Sequence, residues 1–163
     1  YEYNNAVFNN NKNNKAYNDD VFNLLEKVKA DIIYLDPPYT GTMNNYFGFY
    51  GLVDDFITSK KTKPFENNFI NKKNAVELFD NLFSKLSNFK YWYLSYNNSS
   101  YPSKNELLNL LNKYSDNVEV IERKHVYKIT GKEKKETNKE YLFIIKNEIH
   151  KKNIKKDYAT AEL

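Results

Sequence analysis

The chain has 163 residues, a net charge of +4 and 40% hydrophobic residues, which allows one domain with its own core. It has no cysteine, which excludes a disulfide scaffold and a thiolate-held metal, and with only His125 and His150 a histidine zinc site, or any metal, is not expected. No apolar run approaches the roughly 20 residues that span a bilayer and no signal-peptide pattern opens the chain, so a cytoplasmic protein with no membrane partner is expected.

Residues 1–17 are polar and asparagine-rich, a lead-in of loop or the end of something larger. They begin without an initiator methionine, which points to a fragment or a processed chain. "NDDVFNLLEKVK" (18–29) predicts a short helix, capped by Asn18 or Asp19, with Val21, Leu24, Leu25 and Val28 at i, i+3, i+4 and i+7. "DIIYLD" follows as a strand. Its apolar residues do not alternate, which predicts burial on both faces, as in a parallel sheet covered by helices.

Residues 40–72 read as a long irregular stretch, with aromatics in "NNYFGFYG" and lysines in "SKKTKP". Stretches of that length inside a domain are usually functional. Tyr46, Phe47, Phe49 and Tyr50 would pack under a lid or line a base pocket, and Asp54 and Asp55 read as helix-start charges. "KNAVELFDNLFSKLSN" predicts an amphipathic helix with Ala75, Phe79, Leu82, Phe83 and Leu86 on one stripe. "KYWYLSYNN" is the second strand, with Trp92 in the core. "PSKNELLNLLNKY" is a helix whose Ser103 and Glu106 have capping-box spacing.

"NVEVIERKHVYKI" and "KEYLFIIKN" form a strand pair joined by the charged loop "TGKEKKETN". His125, inside a strand, reads as structural. Residues 121–156 hold twelve Lys/Arg against five Glu, a distribution that suits either a polyanion or a solvated face. Lys132, Lys134 and Lys135 at the loop tip would touch phosphates or simply face solvent. Residues 148–163 are a charged tail. The order of elements predicts an α/β fold whose parallel sheet ends in an antiparallel hairpin edge.

"DIIYLDPPYTG" (31–41) carries the chemistry. Ligands of open α/β sheets sit beyond the carboxyl ends of the strands, where the strand delivers Asp36. Pro37 keeps Asp36 out of helical geometry. Neither Pro37 nor Pro38 has an N–H, so the backbone carbonyls there have no adjacent donor. The Asp36 carboxylate and the Pro37 carbonyl form a rigid pair of acceptors, and Tyr39 adds a flat ring. Such a cluster suits a planar ring bearing an –NH2 group, with stacking on Tyr39 worth about 1–3 kcal/mol. Taken alone, Asp36 reads more readily as a strand-end acid at a turn; it is the following tyrosine and the later stretches that favour a site.

"DPPY" after an apolar strand resembles the catalytic motif of S-adenosylmethionine-dependent amino-methyltransferases. "AYNDDVFNLL", "DPPYTGTMNNYFGFYG", "YLSYNNSS" and "NKEYLFIIKN" follow in an order similar to that of the Dam-like alpha group of adenine-N6 DNA methyltransferases, over residues 16–147. The resemblance implies a partial Rossmann-like methyltransferase sheet, with residues 18–147 as the C-terminal part of the catalytic domain. It implies S-adenosylmethionine as cofactor and double-stranded DNA as substrate. The target adenine is flipped out of the duplex and methylated at N6, in a bacterial restriction–modification or orphan system. Asp36, Pro37 and Tyr39 would hold the adenine, and Pro38 would keep the loop rigid. Asp20, or Asp19 in its place, would lie near the adenosine half of the cofactor, which Asp36 also approaches. Ser95 and Asn97 would lie near the pocket unless they only form the turn after their strand, and Lys134 and Lys135 would meet DNA.

The sequence departs from the family pattern at one point. Its glycines are Gly41, Gly48, Gly51 and Gly131, and no two make the G-x-G of the family's cofactor loop. That loop and the main DNA-specificity segment are expected upstream, with residues 1–17 as a remnant of the latter. The partner implied is the N-terminal half or a complementing chain. Two other readings are a non-catalytic nucleic-acid-binding remnant or subunit, and an RNA amino-methyltransferase, since ribosomal-RNA enzymes also carry DPP-aromatic motifs.

Overall fold

A computed structural model of the chain describes residues 12–38, 46–61, 63, 68–124 and 138–147. Four strands, β1 (Ile32–Leu35), β2 (Tyr91–Asn97), β3 (Val118–Lys124) and β4 (Lys139–Lys146), form one sheet in the order β1-β2-β4-β3. β1 and β2 are parallel, and β4 runs antiparallel to both β2 and β3. The helices are α1 (Val21–Lys27), α2 (Tyr46–Thr58), α3 (Ala75–Ser84) and α4 (Lys104–Leu111), with a 3-10 turn at Asn68–Ile70. The result is a mixed sheet flanked by helices, consistent with a partial Rossmann-like methyltransferase fold. The predicted hairpin loop and tail, with His125, Lys132, Lys134, Lys135 and His150, lie outside the described residues.

The predicted stripe of α3 becomes the core. Ala75, Phe79, Leu82, Phe83 and, just past the helix, Leu86 are all buried, against Trp92, Leu94 and Tyr96 of β2 and Phe143 and Ile145 of β4. Alternation along a strand sends every second side chain to one face, and register puts these residues side by side: Trp92 opposite Ile145 and Leu94 opposite Phe143. The Trp92 ring stacks on Phe83 at 6.4 Å, while its indole N–H donates to the Phe89 carbonyl at 2.9 Å. The capping box of α4 forms as expected, with Ser103 Oγ accepting from the Glu106 N–H and the Glu106 carboxylate accepting from the Ser103 N–H. Each satisfies a donor that the helix start leaves over.

Three expectations are corrected. Asp20, not Asn18 or Asp19, caps α1, its carboxylate accepting from the Phe22 N–H at 2.9 Å. Asp19 instead pairs with Lys27 and accepts from Asn23, and the Lys27 ammonium holds its carboxyl below the usual range. Residues 46–58, read as irregular, are helical, so Asp54 and Asp55 sit well inside α2 rather than at its start. The helix ends where Thr58 Oγ1 donates to the Asp54 carbonyl at 2.6 Å and Ser59 turns left-handed at φ 53°. β1, expected to be buried on both faces, is buried on one: Leu35 is 8% exposed, whereas Ile32 is 57% and Tyr34 62% exposed. The physical reason is that the packed residues of α3 and α4 all join the core on one side of the sheet.

One polar cluster ties α3 to the end of α4. The Tyr114 hydroxyl donates to Asp80 at 2.7 Å, and Lys113 pairs with the same carboxylate at 2.9 Å. Burial, then the neighbouring Asp80, pushes the Tyr114 phenol from 10.0 up to about 12. A pKa raised on folding stabilises the folded state fully below the unfolded value and ceases to do so above the folded one. We therefore expect the Tyr114 contribution to be complete below pH 10 and lost between pH 10 and about 12. Urea titrations of the chain and of Tyr114→Phe across that range check it: the difference in midpoint between the two should shrink as pH rises. A constant difference would contradict the assignment.

Candidate active site

β1 and β2 run parallel, with Leu35 opposite Leu94, so their carboxyl ends finish at the same rim of the sheet. Asp36 is the first residue beyond β1 and is exposed, and Pro37 and Pro38 behind it are half-buried. Continuing the register by one residue sets Asp36 beside Ser95. Asn97 ends β2 on the same rim. The structure thus brings Asp36, Ser95 and Asn97 to one edge. Tyr39, Lys134 and Lys135 lie outside the described residues, and of Tyr46, Phe47, Phe49 and Tyr50 only the helical backbone is described.

The rim is braced from below. Asn97 is buried, and its side-chain carbonyl accepts from the Ser99 N–H at 2.9 Å and the Ser100 hydroxyl at 2.7 Å. That oxygen is engaged in shaping the turn. Asn98 locks the same turn to the start of β4: its N–H donates to the Lys139 carbonyl at 3.0 Å, and its side chain accepts from the Lys139 N–H at 2.9 Å. Asn98, Ser100 and Lys139 had not been singled out in the sequence. The signal for Asn98 and Ser100 is the polar run "NNSS" after a strand, which does not say which groups pair, and Lys139 carries none beyond opening the last strand. At the other end of β2, the buried Asn147 donates to the Ser87 and Phe89 carbonyls at 2.9 and 3.1 Å.

Asp20 caps α1, whose first turn is linked to β2 through packed rings. A ladder of rings, Phe22 to Phe69 at 6.3 Å, Phe69 to Phe79 at 5.4 Å and Phe79 to Tyr96 at 5.9 Å, connects the first turn of α1 to the carboxyl-end half of β2. Asp20 stands two residues before Phe22, with one oxygen committed to the cap.

The Asp36 carboxylate and the Pro37 carbonyl can accept hydrogen bonds from an amine. Two depressions mark the described surface, one lined by Asn68, Asn74, Glu77, Leu78 and Asn81, the other by Lys29, Ala30, Asp31 and Asn88. Neither includes Asp36, Ser95 or Asn97. The four glycines, Gly41, Gly48, Gly51 and Gly131, make no G-x-G of the kind that cradles a donor such as S-adenosylmethionine. Among the described residues no group of acidic or histidine side chains is arranged to hold a metal ion, and no helix is long and apolar enough to cross a membrane.

Residues 1–110 match the profile of the family described as D12 class N6 adenine-specific DNA methyltransferase. The chain belongs to that family. It is similar to the type II methyltransferase M2.HphI of Haemophilus parahaemolyticus, 55% identical over 145 residues that make up 89% of this chain and 43% of that protein. It is also similar to the modification methylase StsI of Streptococcus sanguinis, 30% identical over 91% of this chain and 24% of the relative. A third relative is the type II methyltransferase M.FokI of Planomicrobium okeanokoites, 27% identical over 96% of this chain and 26% of the relative. The chain therefore spans less than half the length of each of these relatives. No solved structure is significantly similar to it.

Proposed function

We propose that this chain is the catalytic, DPPY-containing, C-terminal part of a site-specific DNA methyltransferase that modifies the exocyclic N6 amine of adenine. The single observation that carries the reading is the position of Asp36: it leaves a parallel strand at the sheet rim, next to the end of β2 and ahead of two prolines. The amine of adenine is a poor nucleophile because its lone pair is delocalised into the ring. Asp36 and the Pro37 carbonyl accept hydrogen bonds from its two N–H groups and so localise the lone pair, and Tyr39 stacks on the ring. Positioned acceptors act through orientation and preorganised electrostatics, so Asp36 need not be a strong base. S-adenosylmethionine supplies the electrophilic methyl group. An amine inside a duplex cannot reach such a rim, so the adenine is flipped out. Lys134 and Lys135 contribute phosphate contacts, and Ser95 and Asn97 shape the pocket floor.

The relatives are described as type II methyltransferases and modification methylases, which supports a place in bacterial restriction–modification. The decisive assay is tritium transfer by the chain completed with the remaining portion of a D12-class enzyme. Label should appear in unmethylated DNA, as N6-methyladenine after digestion, and not in RNA. Label in RNA alone, or in cytosine, would replace the reading.

A further inference from the structure

In an antiparallel pair, residues that stand directly opposite exchange two main-chain hydrogen bonds at alternate positions. β2 and β4 are in register as far as Asn97 opposite Glu140. The next pair, Asn98 and Lys139, departs from the pattern. The Asn98 N–H donates to the Lys139 carbonyl at 3.0 Å, as a ladder requires. The Lys139 N–H donates at 2.9 Å to the side-chain oxygen of Asn98, in the role a main-chain carbonyl has in a continued ladder. Short polar side chains compete with the backbone for such donors. Here that substitution coincides with the end of β2, and the chain turns at Asn98.

The turn is held from two sides. Asn98 fixes its start to β4, and Asn97 gathers the Ser99 N–H and the Ser100 hydroxyl on its own side-chain oxygen. Every partner lies in the described sheet or in the turn itself. The turn stands on the rim where Asp36 leaves β1, because β1 and β2 are parallel. Strand alternation puts Ser95 on the face opposite the core residues Leu94 and Tyr96, and puts Asp36, next after the core residue Leu35, on that same face. The place where β2 stops therefore fixes Ser95 relative to Asp36.

We infer that Asn98 is a positioning residue for methyl transfer: through the Lys139 main chain it fixes the end of β2, and so holds Ser95 and the rim turn in place against Asp36. It acts through the backbone and touches neither the adenine nor the methyl donor. Misplacing a reacting group by about 1 Å costs about 100-fold in rate. Loss of an interaction that serves only the transition state lowers kcat and leaves KM alone. Asn98 is exposed, so its truncation opens no cavity. The inference rests on the methyltransferase reading above.

The test compares Asn98→Ala, which removes the accepting oxygen, with Asn98→Asp, which keeps it. In the isolated chain, the Lys139 amide should exchange at least about tenfold faster in Asn98→Ala than in the parent and near the parent rate in Asn98→Asp. Both thermal midpoints should stay close to that of the parent. In the enzyme completed with the remaining portion of a D12-class methyltransferase, Asn98→Ala should lower kcat on unmethylated DNA at least about tenfold at unchanged KM for DNA. Asn98→Asp should restore most of that loss. Parent kcat in Asn98→Ala overturns the inference, as does an unchanged Lys139 exchange rate in that variant. So does an Asn98→Asp enzyme as slow as Asn98→Ala. A raised KM for DNA at parent kcat overturns it in favour of a direct DNA contact by Asn98. A fall in kcat that only tracks a lowered thermal midpoint overturns it in favour of a purely structural role. The two readings fail in different ways: a parent enzyme that methylates nothing refutes the methyltransferase reading and the positioning role with it, whereas an active parent with an unaffected Asn98→Ala refutes the positioning role alone.

Discussion

Asp36→Ala in the completed enzyme is expected to lower methyl transfer by at least about 100-fold, the range seen when one preorganised polar group is removed from a reacting centre. The expectation follows from placement. Asp36 is exposed at the end of β1, while the strand behind it is held by Leu35 in the core and by pairing with β2. Its loss removes an acceptor from the amine without opening a cavity, and surface changes of this type usually move stability by no more than about 0.5 kcal/mol. Circular dichroism and the thermal midpoint should therefore stay close to those of the parent. Asp36→Asn keeps one acceptor oxygen and is expected to retain more activity than Asp36→Ala. The measurement is initial-rate tritium transfer to unmethylated DNA for all three proteins. A folded Asp36→Ala enzyme with full activity would sink the assignment of the site.

Phe79→Ala is expected to be the most damaging substitution to the fold itself. Phe79 is 1% exposed and touches three rings, Phe69, Phe83 and Tyr96. Truncating a buried phenylalanine to alanine typically costs about 3–5 kcal/mol, part lost transfer energy and part cavity. Single domains have about 5–15 kcal/mol in total, so the change removes a large share of it. Because Phe79 is the middle of the ladder from Phe22 to Tyr96, amide exchange in α1 should rise as well. Phe79→Leu fills most of the volume and should cost much less. Urea unfolding gives the first number and hydrogen exchange the second. A loss below about 1 kcal/mol for Phe79→Ala would mean that the ladder is not part of the core.

Several features were legible because the physics behind them is local. The stripe of α3 follows from 3.6-residue periodicity, and each of its predicted residues is buried. The capping box at Ser103 and Glu106 spans three residues and forms as read. The placement of Asp36 needed only an apolar strand followed by prolines. α2 was missed because "NNYFGFYGLVDDF" has glycines at 48 and 51 and two adjacent acids, with no single apolar stripe. Its Leu52, Val53, Phe56 and Ile57 are all exposed. The cap of α1 was misplaced by a residue because three neighbours, Asn18, Asp19 and Asp20, are all competent, and only the geometry of the turn chooses among them.

By itself, then, the sequence determined which segments are strands and which helices bury a face, together with the acid-proline-proline-tyrosine order on which the proposed site rests. These depend on residues within a few positions of one another. Tertiary structure alone decided that β4 inserts between β2 and β3, because strand pairing joins residues far apart in the chain and alternation does not name a partner. It also decided the state of β1. An apolar run says that a strand is fit to be buried on both faces, but burial is a property of what packs against it, and on one side of Ile32 and Tyr34 nothing among the described residues does.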